Sequence, residues 1–144
     1  MNDLNRDDLI YLGAMLDLNS SINISRTKKR GHMKSDYYTA LVIIGNSVDI
    51  LKEWQTKTGV GRIIKQGKHL KWQISGPDAI RLLQTAYSTM RYKRNQADVI
   101  FELKGTIDGE INRRGVPAET DEKRIALMEK LKALHNFNKS SVLE

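Results

Sequence analysis

Residues 5–27 read NRDDLIYLGAMLDLNSSINISRT, and a change of hydrophobic period inside this stretch decides the fold. Up to Leu18 the apolar residues recur every three or four positions, as on one face of a helix, and Asn5 is placed to cap its start. From Ser21 onward apolar and polar residues alternate, as in a strand with one buried and one exposed face. The stretch predicts a helix that leads directly into a β-strand.

The rest of the chain repeats this pattern of helices and alternating strands. Three further strands are predicted at about 37–44, 60–65 and 70–75, and three further helices at about 47–57, 78–89 and 97–103. The resulting order, α-β-β-α-β-β-α-α, indicates an α+β fold in which helices cover one face of an antiparallel sheet. We expect one domain over 1–104, then a loop at 105–118, a C-terminal helix at 119–136 and a tail at 137–144.

The composition narrows the classes of function. The 144 residues include 24 Lys and Arg against 17 Asp and Glu, a net charge of +7, and a basic domain of this size attracts polyanions such as nucleic acids. The chain has no cysteine, which excludes disulfides and cysteine-based zinc sites. Its longest apolar run has five residues (40–44), so we expect no membrane partner and an intracellular location, cytoplasmic or organellar.

The alternating strands predict one polar, basic sheet face that could bind nucleic acid. Amide, guanidinium and ammonium groups suit base edges, because they match the donors and acceptors of the purines. Ile64 interrupts the row of polar residues on this face, and it would contact either a thymine methyl group or nothing. The alternative is an ordinary solvated outer face. The predicted DNA-binding residues are Asn23, Ser25, Thr27, Lys29, Arg30, Tyr37, Thr39, Arg62, Gln66, Lys71 and Gln73.

Residues 12–22, LGAMLDLNSSI, resemble the signature of the LAGLIDADG homing endonucleases. The order of elements also resembles that family, as do Gly59-Val60-Gly61 and the stretch MRYKRNQAD at 90–98. The resemblance covers roughly residues 8–104. It implies a saddle-shaped sheet whose polar face lies in the major groove of double-stranded DNA.

The chain holds one such motif, and the resemblance therefore implies a homodimer with a pseudo-palindromic target. In the family the motif helix packs against its twin, with small residues that let the two backbones approach. Gly13 and Ala14 suit that role, and we expect both on the exposed face of the first helix. The residues expected at this interface are Leu9, Leu12, Gly13 and Leu16.

The resemblance also implies cleavage of DNA assisted by Mg²⁺, with the last acid of the motif as metal ligand. Here the matching residue is Asn19, and the flanking Leu18 and Ser20 also depart from the family pattern. Lys93 matches a lysine near the scissile phosphate, and Asn46 matches a residue that orients water. The first acid of the motif, here Asp17, is structural in the family.

Asn19 leads us to expect sequence-specific DNA binding with cleavage impaired, because two neutral amides would replace two carboxylates where Mg²⁺ must bind. Two alternatives stay open. The protein is an active Mg²⁺-dependent homing endonuclease if Asn19 is an engineered change or is tolerated. It is an RNA-binding splicing helper, like a maturase, if intron RNA is its ligand.

Overall fold

The computed structural model describes residues 1, 3–31, 35–108 and 118–140. Five α-helices and four strands follow one another in the predicted order, with a 3₁₀ turn at Tyr87–Thr89. Their bounds are α1 Arg6–Asn19, β1 Ser20–Thr27, β2 Tyr37–Gly45, α2 Val48–Thr58, β3 Arg62–Gln66, β4 His69–Ser75, α3 Gly76–Ala86, α4 Arg94–Asp108 and α5 Ala118–Ser140.

Local sequence explains where the first helices begin and end. The Asn5 side chain accepts a hydrogen bond from the Asp8 N–H at 2.8 Å, and the Asp8 carboxylate accepts one from the Asn5 N–H at 3.2 Å. This reciprocal pair is a capping box, which satisfies backbone donors that a helix leaves free at its start. The second helix, α2, ends at Gly59, whose φ of 71° is a left-handed conformation that glycine adopts without strain.

The four strands form one antiparallel sheet in the order β1-β2-β4-β3. Burial alternates along β2, and the inward residues of the sheet pack with the helices in a single core. Such alternation is typical of a sheet that is covered on one face only. The largest fully buried side chains include Trp72, Tyr38, Leu12, Leu16, Ile44, Leu83 and Ile100.

The helices at the C-terminal end differ from the predicted bounds. The fourth helix, α4, continues to Asp108, so residues 105–108 are helical and not part of a loop. Arg124 of α5 explains the extension, because its guanidinium donates to the Thr106 hydroxyl at 3.0 Å and to the Thr106 carbonyl at 3.3 Å. These tertiary contacts outweigh the low helix propensity of Gly105. The fifth helix continues to Ser140, and the rest of the predicted loop and tail (109–117 and 141–144) lies outside the described residues.

Candidate nucleic-acid interface

The sheet has a face that points away from the helices, which we call the open face. Hydrogen bonding agrees with the alternation, since the Asn23 amide donates to the Ser21 hydroxyl at 2.8 Å on the same side of β1. The residues of the open face are Ser21, Asn23, Ser25 and Thr27 of β1, Tyr37, Thr39, Leu41 and Ile43 of β2, Arg62, Ile64 and Gln66 of β3, and His69, Lys71, Gln73 and Ser75 of β4.

The register arranges these residues in rows across the strands. One row runs Ser21, Ile43, Gln73, Arg62, because each is the pairing partner of the next. Hydroxyl, amide and guanidinium groups therefore flank an aliphatic side chain within one row. Such a row offers both donors and acceptors to a ligand that lies along the sheet.

Positive charge on the open face is not offset by carboxylates. None of the four strands contains Asp or Glu in its sequence. Lys71 extends over Gly45, where a Cβ atom would lie 2.5 Å from its ammonium nitrogen, so the glycine leaves room for the lysine. At the far end of β1, Lys29 and Arg30 are exposed. The electrostatics of this face favour a polyanion.

An ion pair beneath the open face fixes the two ends of the β1–β2 connection. The Asp36 carboxylate accepts a hydrogen bond from the Lys29 backbone N–H at 2.8 Å and forms an ion pair with the Arg26 guanidinium at 2.6 Å. Both contacts, with the Lys29 N–H first, lower the pKa of the Asp36 carboxyl group. Arg26 also lies over the ring of Tyr38, 5.5 Å from its centroid. The two strand ends that lead to the basic residues are thereby held together.

The second part of the candidate site lies where α1 meets β1. We call it the α1 end, and it consists of Asn19, Ser20, Asn46 and Lys93. The Lys93 ammonium donates a hydrogen bond to the Ser20 carbonyl. Burial lowers the pKa of Lys93, and the nearby Asp17 carboxylate opposes that shift. Asn19 is exposed. The structure thus brings the predicted Asn19 and Lys93 positions together.

Asn46 comes to the same end of the sheet from β2. Ser20 pairs with Ile44, so Asn46 lies two residues beyond the paired position. Its side-chain oxygen accepts the Ser47 N–H at 2.8 Å, and the residue is exposed. The amide is therefore partly engaged in the local turn before α2.

Asp17 has a structural role, as the resemblance implied. Its two carboxylate oxygens accept the backbone N–H groups of Arg91, Tyr92 and Lys93 at 2.8, 3.0 and 3.1 Å. The side chain is buried, and it fixes the segment that leads into α4. Hydrogen bonds to a charged acceptor are among the stronger ones in proteins.

The residues at the α1 end do not fit a hard divalent cation. Mg²⁺ prefers charged oxygen ligands, yet Asn19 offers a neutral amide and Asp17 has both oxygens occupied. The Lys93 ammonium beside Ser20 adds a positive charge that repels a cation. Among the described residues, no group of three or more His, Asp or Glu side chains is placed to hold a metal ion.

The face of α1 predicted for a dimer lies largely inside the chain. Leu12, Gly13 and Leu16 are buried, and Leu9 is half-buried. A Cβ atom on Gly13 would lie 2.7 Å from the Thr89 carbonyl oxygen. The absence of a side chain at Gly13 therefore lets the 3₁₀ turn of the same chain pack closely against α1. The prediction that Gly13 lies on an exposed face was wrong, whereas Ala14, for which the same was predicted, is exposed.

Another stripe of α1 faces outward. Ile10 is 49% and Leu18 is 73% exposed, and Ala14 lies between them at helical spacing. A groove of about 600 Å³ runs beside this stripe and is also lined by Arg91 and Tyr92. Sequence reasoning placed Ala14 on the exposed face but missed Ile10 and Leu18, because α1 is apolar on several sides and periodicity alone did not identify the inward face.

Some residues of the open face were also missed. Leu41 and Ile43 continue the alternation of Tyr37 and Thr39, but they stand in a run of aromatic and β-branched residues, 37–44, that conceals the period. Ser21 and Ser75 complete the face at its edges.

In the described part of the chain, no helix is long and apolar enough to cross a membrane.

Neither a protein-family model nor a curated protein matches this chain. Solved structures do. The homing endonuclease I-CvuI, in complex with a DNA target in the presence of Mg, superimposes with a TM-score of 0.75 at 15% identity, over 90% of this chain and 82% of that one. The homing endonuclease I-TnaI gives 0.71 at 12% identity, over 96% and 98%.

A third structure, the I-SmaMI LAGLIDADG homing endonuclease bound to cleaved DNA, gives a TM-score of 0.68 at 16% identity, over 91% of this chain but 47% of that one. Identities this low show common architecture without showing common chemistry. All three matches cover most of this chain. The protein has the fold of the LAGLIDADG homing endonucleases.

Proposed function

We propose that the protein is a homodimeric, sequence-specific double-stranded DNA-binding protein whose metal-dependent cleavage is impaired by Asn19. The observation that carries the proposal is the open face, which combines amides, hydroxyls and basic groups in strands without any Asp or Glu. A two-stranded ribbon fits the major groove of B-DNA, where base edges display a distinct pattern of donors and acceptors for each base pair.

The comparisons support a DNA ligand. I-CvuI and I-SmaMI are described in complex with DNA, and both share the architecture of this chain. The net charge of +7 agrees with a ligand whose backbone is a line of phosphates. In this proposal Lys29 and Arg30 contact phosphates, while Gln73 and Arg62 contact base edges.

The exposed stripe of α1 supports the proposal of a homodimer. Ile10, Ala14 and Leu18 expose apolar surface, and a second copy would cover the same stripe through a two-fold axis. This chain matches 47% of I-SmaMI, which leaves room in that longer chain for a second unit of similar size. The interface we propose is this stripe, in place of the buried face around Gly13.

The donor set at the α1 end supports the proposal of impaired cleavage. Structures of I-CvuI with DNA are described in the presence of Mg or Ca, but Asn19, the residue at the metal position of the motif, carries no charge here. Mg²⁺ gives up its water shell reluctantly and is held mainly by carboxylates and phosphates. We expect DNA to bind whether or not a divalent cation is added.

The test is selection of bound sites from random duplex DNA, followed by a cleavage assay on the selected site. We expect a pseudo-palindromic site and little or no cleavage in Mg²⁺. Competition with intron RNA separates the splicing-helper alternative, since RNA that displaces the duplex at equal concentration would favour it. Rapid cleavage of the selected site would favour the active endonuclease.

A pair of variants tests whether the open face makes the contact. Arg62 and Lys65 lie on the same strand, three residues apart, and project to opposite faces of the sheet. Both are exposed, so each can be replaced by Ala without loss of core packing. Arg62→Ala should weaken DNA binding far more than Lys65→Ala. Equal losses would show that only the total charge matters.

A further inference from the structure

The centre of the open face is apolar. Leu41 and Ile43 lie two residues apart on the inner strand β2, and Ile64 lies on the edge strand β3, with β4 between them. We call these three residues the aliphatic strip, and each is half-buried in the free chain. Leu41 pairs with Asn23 on one side and Ser75 on the other, and Ile43 pairs with Ser21 and Gln73. Aliphatic side chains are therefore enclosed by hydroxyl and amide groups.

The major groove of DNA presents a similar mixture of polar groups and apolar groups. Base edges there display hydrogen-bond donors and acceptors and, in thymine alone among the four bases, an apolar C5-methyl group. Strand residues two apart are separated by about 6.8 Å, which is the length of about two base-pair steps. Leu41 and Ile43 can thus meet methyl groups on nearby base pairs while their polar neighbours contact base edges.

The charge around the aliphatic strip favours DNA over another protein as its occupant. Lys71 is the pairing partner of Ile64, and Arg62 lies two residues from it on the same strand. Cations placed on both sides of an aliphatic group would find phosphates on the two strands of a duplex. A-form RNA fits less well, because its major groove is deep and narrow and its uracil lacks the methyl group.

Resting on the proposed function, we infer that the aliphatic strip reads thymine C5-methyl groups, so that each half-site contains thymine at positions that face Leu41, Ile43 or Ile64. The same contact should accept 5-methylcytosine, because that base presents a methyl group at the same place in the groove.

The experiment replaces thymine by deoxyuridine in the selected duplex, one position at a time, and measures the dissociation constant. Removal of a buried methyl group corresponds to a loss of about fourfold in affinity at each position that is read. Replacement in both half-sites should multiply the two losses, to about fifteenfold. Positions outside the strip should respond little.

Variants assign the effect to the strip. Leu41→Ala and Ile43→Ala should each remove the preference for thymine over deoxyuridine at one position, and Ile64→Ala provides a third test where either of these fails to fold. Thermal unfolding of each variant shows whether the fold is kept. Lys71→Gln is the matched control, since it should lower affinity for both duplexes and leave their ratio unchanged.

The outcomes separate this inference from the proposed function. A selected site in which deoxyuridine binds as well as thymine at every position would overturn the reading of methyl groups and leave the DNA-binding proposal intact. A methyl preference that persists in all three alanine variants would also overturn it. Failure to select any duplex site would overturn both.

Discussion

The open face and the α1 end adjoin at Ser20. They differ in how many of the side chains expected for their roles, DNA binding and metal binding respectively, are present in this chain. The open face presents basic and amide groups from β1, β3 and β4, and none of its four strands contains an acid. The α1 end has Lys93 in place beside Ser20, but no carboxylate is free to bind a cation there among the described residues. In the proposed function, binding and cleavage therefore depend on separate residues.

This separation has a physical origin. Attraction to DNA is the sum of many contacts, each worth a little, and it survives the loss of any one. Cleavage assisted by metal needs a few charged ligands at fixed positions, and one missing carboxylate per chain removes them. A neutral residue at position 19 also relieves repulsion from nearby phosphates. The chain can therefore lose the second activity and keep the first.

The largest expected effect is the response of DNA binding to salt. If at least six phosphates are contacted, affinity should fall about 10³-fold between 50 and 200 mM salt, because bound cations are released from the DNA. Filter binding or fluorescence anisotropy across this range would measure the slope. Affinity that stays constant would contradict binding through the open face, and the Asn19→Asp variant should show a similar slope.

The next effect distinguishes the two faces of α1. Gly13→Leu should lower the free energy of unfolding by about 3 kcal/mol, the upper end of the usual cost of overpacking, since its side chain would be forced into the Thr89 backbone. Ala14→Leu is the matched control on the exposed side, and it should leave the chain folded but shift the protein toward monomers. Urea denaturation and sedimentation measure the two outcomes. A Gly13→Leu protein as stable as the wild type would show that the 3₁₀ turn does not dock as described.

A smaller effect should appear at single base contacts. Replacement of Arg62 or Gln73 by Ala should cost about 1–3 kcal/mol of discrimination at one position of each half-site, the value of a good bidentate contact. Repeated site selection with each variant would show which position loses its preference. A uniform loss over all sequences would instead assign the residue to the phosphate backbone.

The smallest effect concerns Asp36, and its sign is informative. Removal of a negative charge by Asp36→Asn should strengthen DNA binding if long-range electrostatics alone mattered. We expect weaker binding, because Arg26 and the Lys29 N–H lose the carboxylate that holds the two strand ends together. Anisotropy titrations of the variant and the wild type at equal salt would measure the change. Stronger binding would contradict the positioning role.

The same ion pair should give a pH dependence with a defined sign. The pKa of Asp36 is lowered in the folded chain, first by the Lys29 N–H and then by Arg26. Its contribution to stability is therefore complete above the ordinary carboxyl pKa of about 3.9 and is lost as the pH falls through the lower folded value. Acid unfolding of the wild type and Asp36→Asn would show this difference.

The sequence predicted the order of elements well because period and turn residues are local signals. The switch from helix to strand after Asn19, the Asn5 cap and the alternation in β1 all appear in the structure. The predicted end of α4 was wrong because its last turn is held by a hydrogen bond from Arg124, a residue far along the chain. Local sequence does not encode such a contact.

The candidate site was predictable only where one face differed clearly from the other. The residues of β1 showed a polar face by simple alternation, and Asp17 was expected to be structural from the motif. The inward face of α1 was not predictable, since Gly13 suits a close approach to any backbone and sequence cannot say which. Only the position of Thr89 in the fold identifies its neighbour.

The measurement that tests the central claim most directly is cleavage of the selected duplex by the wild-type protein, with and without Mg²⁺, beside the Asn19→Asp variant. Binding is followed in the same samples, so that loss of cleavage is not mistaken for loss of binding. We predict that the wild type binds in both conditions and leaves the DNA intact or nicks it very slowly, while the variant cuts faster in Mg²⁺. Rapid cleavage of both strands by the wild type in Mg²⁺ would contradict the account of Asn19.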